Sequence, residues 1–315
     1  MSPLVKAVNF YGRFLIPFSV MGYKLHGLGK PGNYDALAGQ TLLVTGATGG
    51  IGAAIVRTAV AQGARVLAVG RSDEKLARLE SETSAGPGSL VPLKADLSLA
   101  SETHALLDTL EQRGDRIDTL VNNVGILSHS WRKTEEGFEQ MYAVNVLCAY
   151  ILTEGLFDHG LFAAEASIVN MASGGMYNAP QNLAYMEQGE EGFNGFAAYA
   201  THKRAQLVLS DLWTARDGDA RAYTMHPGWA DTEGVERSLP RFHKILGAFL
   251  RSPEQGGDTA LWLSAQRPEP QEGRLWFDHR PRPAHVYDST RQPLASAEEI
   301  VSKLREDAAR VAPSK

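Results

Sequence analysis

Short apolar runs and helical spacings alternate along most of this chain. Residues 41–45, 65–69, 90–94, 120–122, 168–171 and 222–225 are brief and largely apolar, as buried strands are. Between them, residues 51–62, 73–82, 101–113, 137–157 and 196–216 carry apolar side chains three and four apart. That period belongs to helices with one buried face. Ser252-Pro253-Glu254-Gln255 opens a further helix, with a serine cap and proline at the first position. Strands alternating with helices predict an α/β fold, a single doubly wound parallel sheet with helices on both faces. No internal repeat or long linker interrupts the pattern, so one domain is expected over residues 39–277.

Both ends depart from it. Residues 1–38 are expected to form an N-terminal helical arm, ending in a glycine-rich turn at residues 29–33. Residues 10–23 are mostly apolar, but Arg13 and Pro17 interrupt them. The unbroken stretch is shorter than the roughly 20 residues that span a bilayer, and no cleavage site marks a secretory signal. The arm either packs on the domain or touches a membrane surface or partner, a contact that Lys6, Arg13 and Lys24 would suit. Residues 278–315 form the tail. Its first part, to residue 293, is rich in proline, arginine and histidine and is expected to wrap the surface without adding a strand. Ser296 and Glu299 then make a capping box before a short amphipathic helix through Ile300, Val301, Leu304, Ala308 and Val311.

Composition narrows the function. The net charge of −5 gives no basic excess for nucleic acid. Cys148 is the only cysteine, so no intrachain disulfide or cysteine-rich metal site can form, and no metal is expected. A lone cysteine fits a reducing, cytoplasmic setting, with membrane association left open by the arm.

The chemistry lies in two places. Tyr199 and Lys203 stand four apart on one helix face, 26 residues after Ser173. A phenol is a poor acid or base near neutral pH, and a neighbouring ammonium is expected to lower its pKa into a useful range. Upstream, Thr45-Gly46-Ala47-Thr48-Gly49-Gly50-Ile51-Gly52 falls where the first strand turns into a helix. Bare glycines let the backbone approach a pyrophosphate, and the helix start offers free N–H groups, as in a Rossmann-type nucleotide site. The second strand ends at Gly70-Arg71 instead of the acid that holds a free ribose 2′-hydroxyl. Arg71 suits a 2′-phosphate, so NADP(H) is favoured over NAD(H). Asp96 is placed either to bond the adenine amino group or simply to cap its turn.

These residues resemble the short-chain dehydrogenase/reductase family over residues 37–277. Residues 45–52 are similar to its nucleotide motif, Asp96-Leu97 to its adenine contact, and Asn122-Asn123-Val124-Gly125 to its stabilising motif, with Val124 in place of the usual alanine. Asn145, Ser173, Tyr199 and Lys203 match its catalytic tetrad. Pro227, Gly228 and Thr232 match the segment that holds the nicotinamide carboxamide. The runs Tyr199–Gln206 and Met225–Thr232 resemble the member-twelve subgroup and its bacterial relatives. The glycine spacing also satisfies the two-domain epimerase branch, but the Asn122-Asn123 pair and the short segment after Pro227 argue against it.

The resemblance implies hydride transfer between NADP(H) and a carbonyl or alcohol carbon. Tyr199 would be the general acid/base, Ser173 would hold the substrate oxygen, and Lys203 would hold the nicotinamide ribose. Asn145 would hold a proton-relaying water. The long loop over residues 177–198, with Trp229 and residues 239–249, is read as the wall and lid of a pocket for a small apolar substrate, lipid-derived molecules included. Glu187, Glu190 and Glu191 would instead make the loop an acidic surface flap. A non-catalytic NADP(H) sensor is the alternative function. The family's common dimer face, on the helices near residues 137 and 196, makes a homodimer an open expectation.

Overall fold

A computed structural model describes residues 3–28, 32, 34–216, 218 and 220–312, apart from the side chains of residues 3–8. The expected glycine-rich turn therefore lies mostly outside the described residues, as does the Lys6 side chain.

Eight strands form one sheet: β1 (Thr41–Thr45), β2 (Arg65–Gly70), β3 (Ser89–Lys94), β4 (Ile117–Asn122), β5 (Phe162–Met171), β6 (Arg221–Met225), β7 (Arg274–Phe277) and β8 (Arg280–Pro283). Their order is β3-β2-β1-β4-β5-β6-β7-β8, parallel throughout except for the last pair. Leu42, Leu43 and Val44 of β1 are fully buried, because helices cover both faces. Leu43, Leu67, Leu120 and Ile168 point into one core, Leu42, Val66, Val121 and Val169 into the other. The chain runs outward from β1 to β3 and then returns to place β4 on the other side of β1. The crevice at the carboxyl ends of β1 and β4 is thus the switch point where such sheets bind ligands.

The helices are α1 (Pro3–Phe18), α2 (Val20–Leu25), α3 (Gly50–Ala61), α4 (Asp73–Thr83), α5 (Ala100–Arg113), α6 (Gln140–Tyr142), α7 (Cys148–Asp158), α8 (Gly195–Thr214), α9 (Glu233–Ser238), α10 (Pro240–Leu246), α11 (Pro253–Gln266) and α12 (Ala297–Arg310). The helix expected over residues 137–157 is broken by a π turn, Ala143–Leu147, with Asn145 at its centre. Such turns commonly sit at functional sites.

The tail requires a correction. It does add a strand: β8 pairs antiparallel with β7. Pro281 and Pro283 disguise it, but prolines are tolerated on an edge strand. The two-residue connection Asp278-His279 has φ of 52° and 59°, the left-handed conformation that a tight hairpin needs and that usually takes Asn-Gly. Tertiary contacts hold it instead. Asp278 binds Arg251 and His26, while His279 pairs with Asp258 and stacks on Trp262. The capping box opens α12 as expected, and Ile300, Val301 and Leu304 pack into the core beside Tyr142 and Val208. The helix therefore docks on its own domain, across part of the face formed by the π turn and α8.

Candidate active site

The first strand's end is stapled to the fourth. Thr45 Oγ1 accepts from the backbone N–H groups of Asn123 (3.0 Å) and Val124 (3.1 Å). Asn123 Nδ2 donates back to the carbonyls of Thr45 (2.8 Å) and Gly46 (3.3 Å). Gly46 has φ +63°, and Gly52 lies so close that a Cβ there would stand 2.2 Å from the Gly46 oxygen. Only glycines fit this turn. Ile51 packs its side chain on α11, where a Cβ on Gly256 would meet it at 3.1 Å, leaving its backbone at the crevice.

The start of α3 is left without a side-chain cap, since Gly49 occupies that position. By contrast, Ser72, Asn194, Ser252 and Ser296 cap α4, α8, α11 and α12. Glu136 receives the first N–H groups of α5. The free N–H groups of α3 suit an anion. Thr232 faces them, its Cγ2 3.0 Å from where a Gly50 Cβ would be. Thr48 covers Gly70, and Arg71 follows it, exposed. Asp96 Oδ1 accepts from Ser98 N at 3.0 Å, so it does cap its turn, and Leu97 beside it is buried. Gly228 has φ +77° and lies under the Arg251 guanidinium, whose Nε would be 2.4 Å from a Cβ there; Pro227 precedes it. These features, above all the uncapped helix start and the cradle of bare glycines, fit a dinucleotide.

The four expected catalytic residues converge beside that cradle. Ser173 follows β5, with its Oγ accepting from Gly175 N at 3.3 Å, and the Tyr199 ring borders the same glycine, 3.5 Å from where its Cβ would be. Lys203, one turn along α8 from Tyr199, donates to the Met171 carbonyl at 2.6 Å. A Cβ on Gly125 would lie 3.1 Å from its Nζ, so the stabilising motif borders the lysine directly. Asn145 Oδ1 accepts from Ile126 N (2.8 Å), and its Nδ2 donates to Ile126 O (2.9 Å).

The electrostatics differ from the expectation in one respect. Burial raises the Tyr199 pKa, and the Ser173 hydrogen bond opposes it. Burial also lowers the Lys203 pKa, to about 7, with its Nζ 5.7 Å from the tyrosine ring centre.

Two residues with parts in this network carried no sequence signal beyond being polar on α8. His202 Nε2 lies 2.7 Å from the Met186 carbonyl and its Nδ1 3.3 Å from Asn145 Nδ2, tying the long loop to the π turn. Gln206 Nε2 donates to the Asn145 carbonyl (3.1 Å), while its Oε1 lies 3.5 Å from Lys203 Nζ.

The short chain dehydrogenase family model matches residues 40–240. The chain is a short-chain dehydrogenase/reductase. It is 32% identical to the dehydrogenase/reductase SDR family member 12 of Bos taurus, over 86% of this chain and 87% of that one. It is 28% identical to human retinol dehydrogenase 11, over 76% of this chain and 84% of that one. Its fold is similar to that of an angucycline C-6 ketoreductase crystallised with NADP, with TM-score 0.61 and 22% identity over 75% of this chain and 91% of that one. Membership makes this short-chain dehydrogenase/reductase an NAD(P)-dependent oxidoreductase of alcohol and carbonyl groups.

Around the candidate site the long loop divides. Met176 and Tyr177 are buried against the arm, where Tyr177 stacks on Phe14 at 5.2 Å. Met186 joins the main core, whereas Tyr185 and Phe196 are exposed. Trp229 lies between the arm and α10, 5.8 Å from Tyr11 and 5.2 Å from Phe242.

Proposed function

We propose that the chain is an NADP(H)-dependent oxidoreductase of small apolar carbonyl or alcohol substrates, with Tyr199 as general acid/base. The observation that carries this reading is that Ser173 and Tyr199 border the same glycine, a Gly175 Cβ lying 3.7 Å from the Ser173 Oγ and 3.5 Å from the Tyr199 ring, with Lys203 one turn on and an uncapped, glycine-lined helix start beside them. Residues 45–52, Asn123, Gly125, Pro227, Gly228 and Thr232 would hold the dinucleotide, and Arg71 would meet a 2′-phosphate. The nicotinamide supplies or accepts the hydride when bound.

The protein's residues move and hold the proton. Tyr199 gives it to the carbonyl oxygen in reduction and takes it back in oxidation. Ser173 hydrogen-bonds the same oxygen as charge develops there. Lys203 is poised near neutrality, so an added hydrogen-bond acceptor beside it would restore its charge and bring the tyrosine pKa down. Asn145 and Gln206 hold the lysine's side of the site. The partly buried indole of Trp229, next to Gly228, favours an apolar substrate. The lone buried Cys148 fits a cytoplasmic, reducing setting, and the arm is the part placed to meet a membrane.

Fluorescence titration with NADPH and NADH, followed by a panel of apolar aldehydes and ketones, tests the reading. Tyr199→Phe should keep NADPH affinity and lose roughly 10²-fold or more of turnover; undiminished turnover would sink the assignment. Arg71→Glu should reverse the preference towards NADH. Tight NADPH binding without turnover on any carbonyl would favour the sensor function.

A further inference from the structure

Two helical segments that pack together beside the active site turn apolar side chains outward. In the arm, Leu15, Ile16 and Leu25 are exposed, Leu25 by 74%. On α10 and the turn after it, Ile245 (75%) and Phe249 are exposed. The segments adjoin, since the half-exposed Tyr11 of α1 lies 6.3 Å from Phe242 of α10, and both rings touch Trp229. Scattered exposed apolar residues need no explanation, but exposed apolar residues on two adjoining helical segments mark a contact surface.

The charges identify the partner. Residues 1–34 contain Lys6, Arg13, Lys24 and Lys30 and no acid. The α10 helix contains Arg241 and Lys244 and no acid; of the acids before it, Asp231 and Glu233 pair with His243 and Arg237, and Arg251 after it is buried against Asp278. Arg13, Lys24, Arg241 and Lys244 are exposed and make no salt bridge among the described residues. Apolar side chains interspersed with unpaired cations match a bilayer with anionic headgroups. A second copy fits poorly, because a two-fold contact would set these cations against their own counterparts. No helix of the described residues is long and apolar enough to cross a membrane, so the segments would lie on the surface.

We propose that the arm and α10 form one docking face for an anionic lipid surface. The chain rests on that surface with Trp229, and with it the nicotinamide end of the crevice, turned towards the lipid. An apolar substrate dissolved in the bilayer would then reach the site without crossing water. This last step rests on the oxidoreductase reading; the docking does not.

Flotation of the full chain with vesicles of phosphatidylcholine alone, and of phosphatidylcholine with phosphatidylserine, tests the docking. The expected result is binding to the phosphatidylserine vesicles that weakens as salt is raised. Arg241→Glu with Lys244→Glu should lower partitioning about tenfold or more, each cation near such a surface being worth roughly fivefold. Ile16→Glu with Ile245→Glu should lower it comparably. An NADPH titration of each variant shows that the nucleotide site is folded. Normal nucleotide affinity with lost flotation supports the docking face. Failure of the unaltered chain to float, or equal flotation of both double variants, overturns it. So does a dimer in sedimentation equilibrium that Ile245→Glu dissolves while vesicles stay unbound. Loss of turnover in Tyr199→Phe leaves flotation unaffected, so the two readings fail separately.

Discussion

Buried ionisable groups crowd around Tyr199, and each is pushed towards its neutral form. Lys203 is held near a pKa of 7, His202 near 4 and His226 near 3, all chiefly by burial. For the two histidines the sign follows directly. The unfolded chain takes up their protons near pH 6.5, whereas the native protein resists until about 4 and 3. Stability is therefore full above 6.5 and falls as pH drops towards 4. Denaturant melts from pH 7 to 4.5 should show that fall. His202→Gln should make the pH dependence shallower, and an unchanged slope would disprove the assignment. Tyr199 and Lys203 stood out because they are four apart on one helix face, whereas Ser173 and Asn145 were picked out only by the family resemblance. Gln206 and His202 were not, since what they bond depends on the π turn lying across α8.

At the scale of elements, one buried guanidinium clamps the end of α1. Arg251 pairs with Asp278 through both Nη1 (2.6 Å) and Nη2 (2.9 Å). It also donates to the carbonyls of Pro17 and Phe18, near the end of α1. Trp229 N adds a bond to the Phe18 carbonyl at 2.8 Å. Lone carbonyls at a helix end need such partners. Arg251→Ala would strand the buried Asp278 carboxylate, so a loss of about 3–5 kcal/mol is expected. Limited proteolysis should then cut first within residues 9–28. Cleavage there at the rate of the unaltered chain would show that the clamp is not what holds the arm. Helix boundaries were readable from caps such as Ser252 and Ser296. The clamp was not, because its parts are more than 230 residues apart in sequence.

For the whole molecule, the ligand crevice, the covered sheet faces and the arm meet at one end of the strands. Binding of a nucleotide to the native state alone should stabilise the whole domain. At a hundredfold excess over Kd the gain is about 2.7 kcal/mol, read as a rise in Tm. NADPH should raise Tm more than NADH at equal concentration; equal shifts would remove Arg71 as the selector.

The alternation of strands and helices, the glycine turn and the Tyr199–Lys203 pair were determined by sequence alone, because each is written in residues a few positions apart. The tertiary structure decided what depends on distant neighbours. A proline-rich tail became an edge strand because Arg251 and Asp258 hold its left-handed turn. Lys203, expected to carry a full charge beside the tyrosine, is instead held near a pKa of 7 because the fold buries it. Periodicity records which face is buried, but only the assembled fold fixes what each buried group meets.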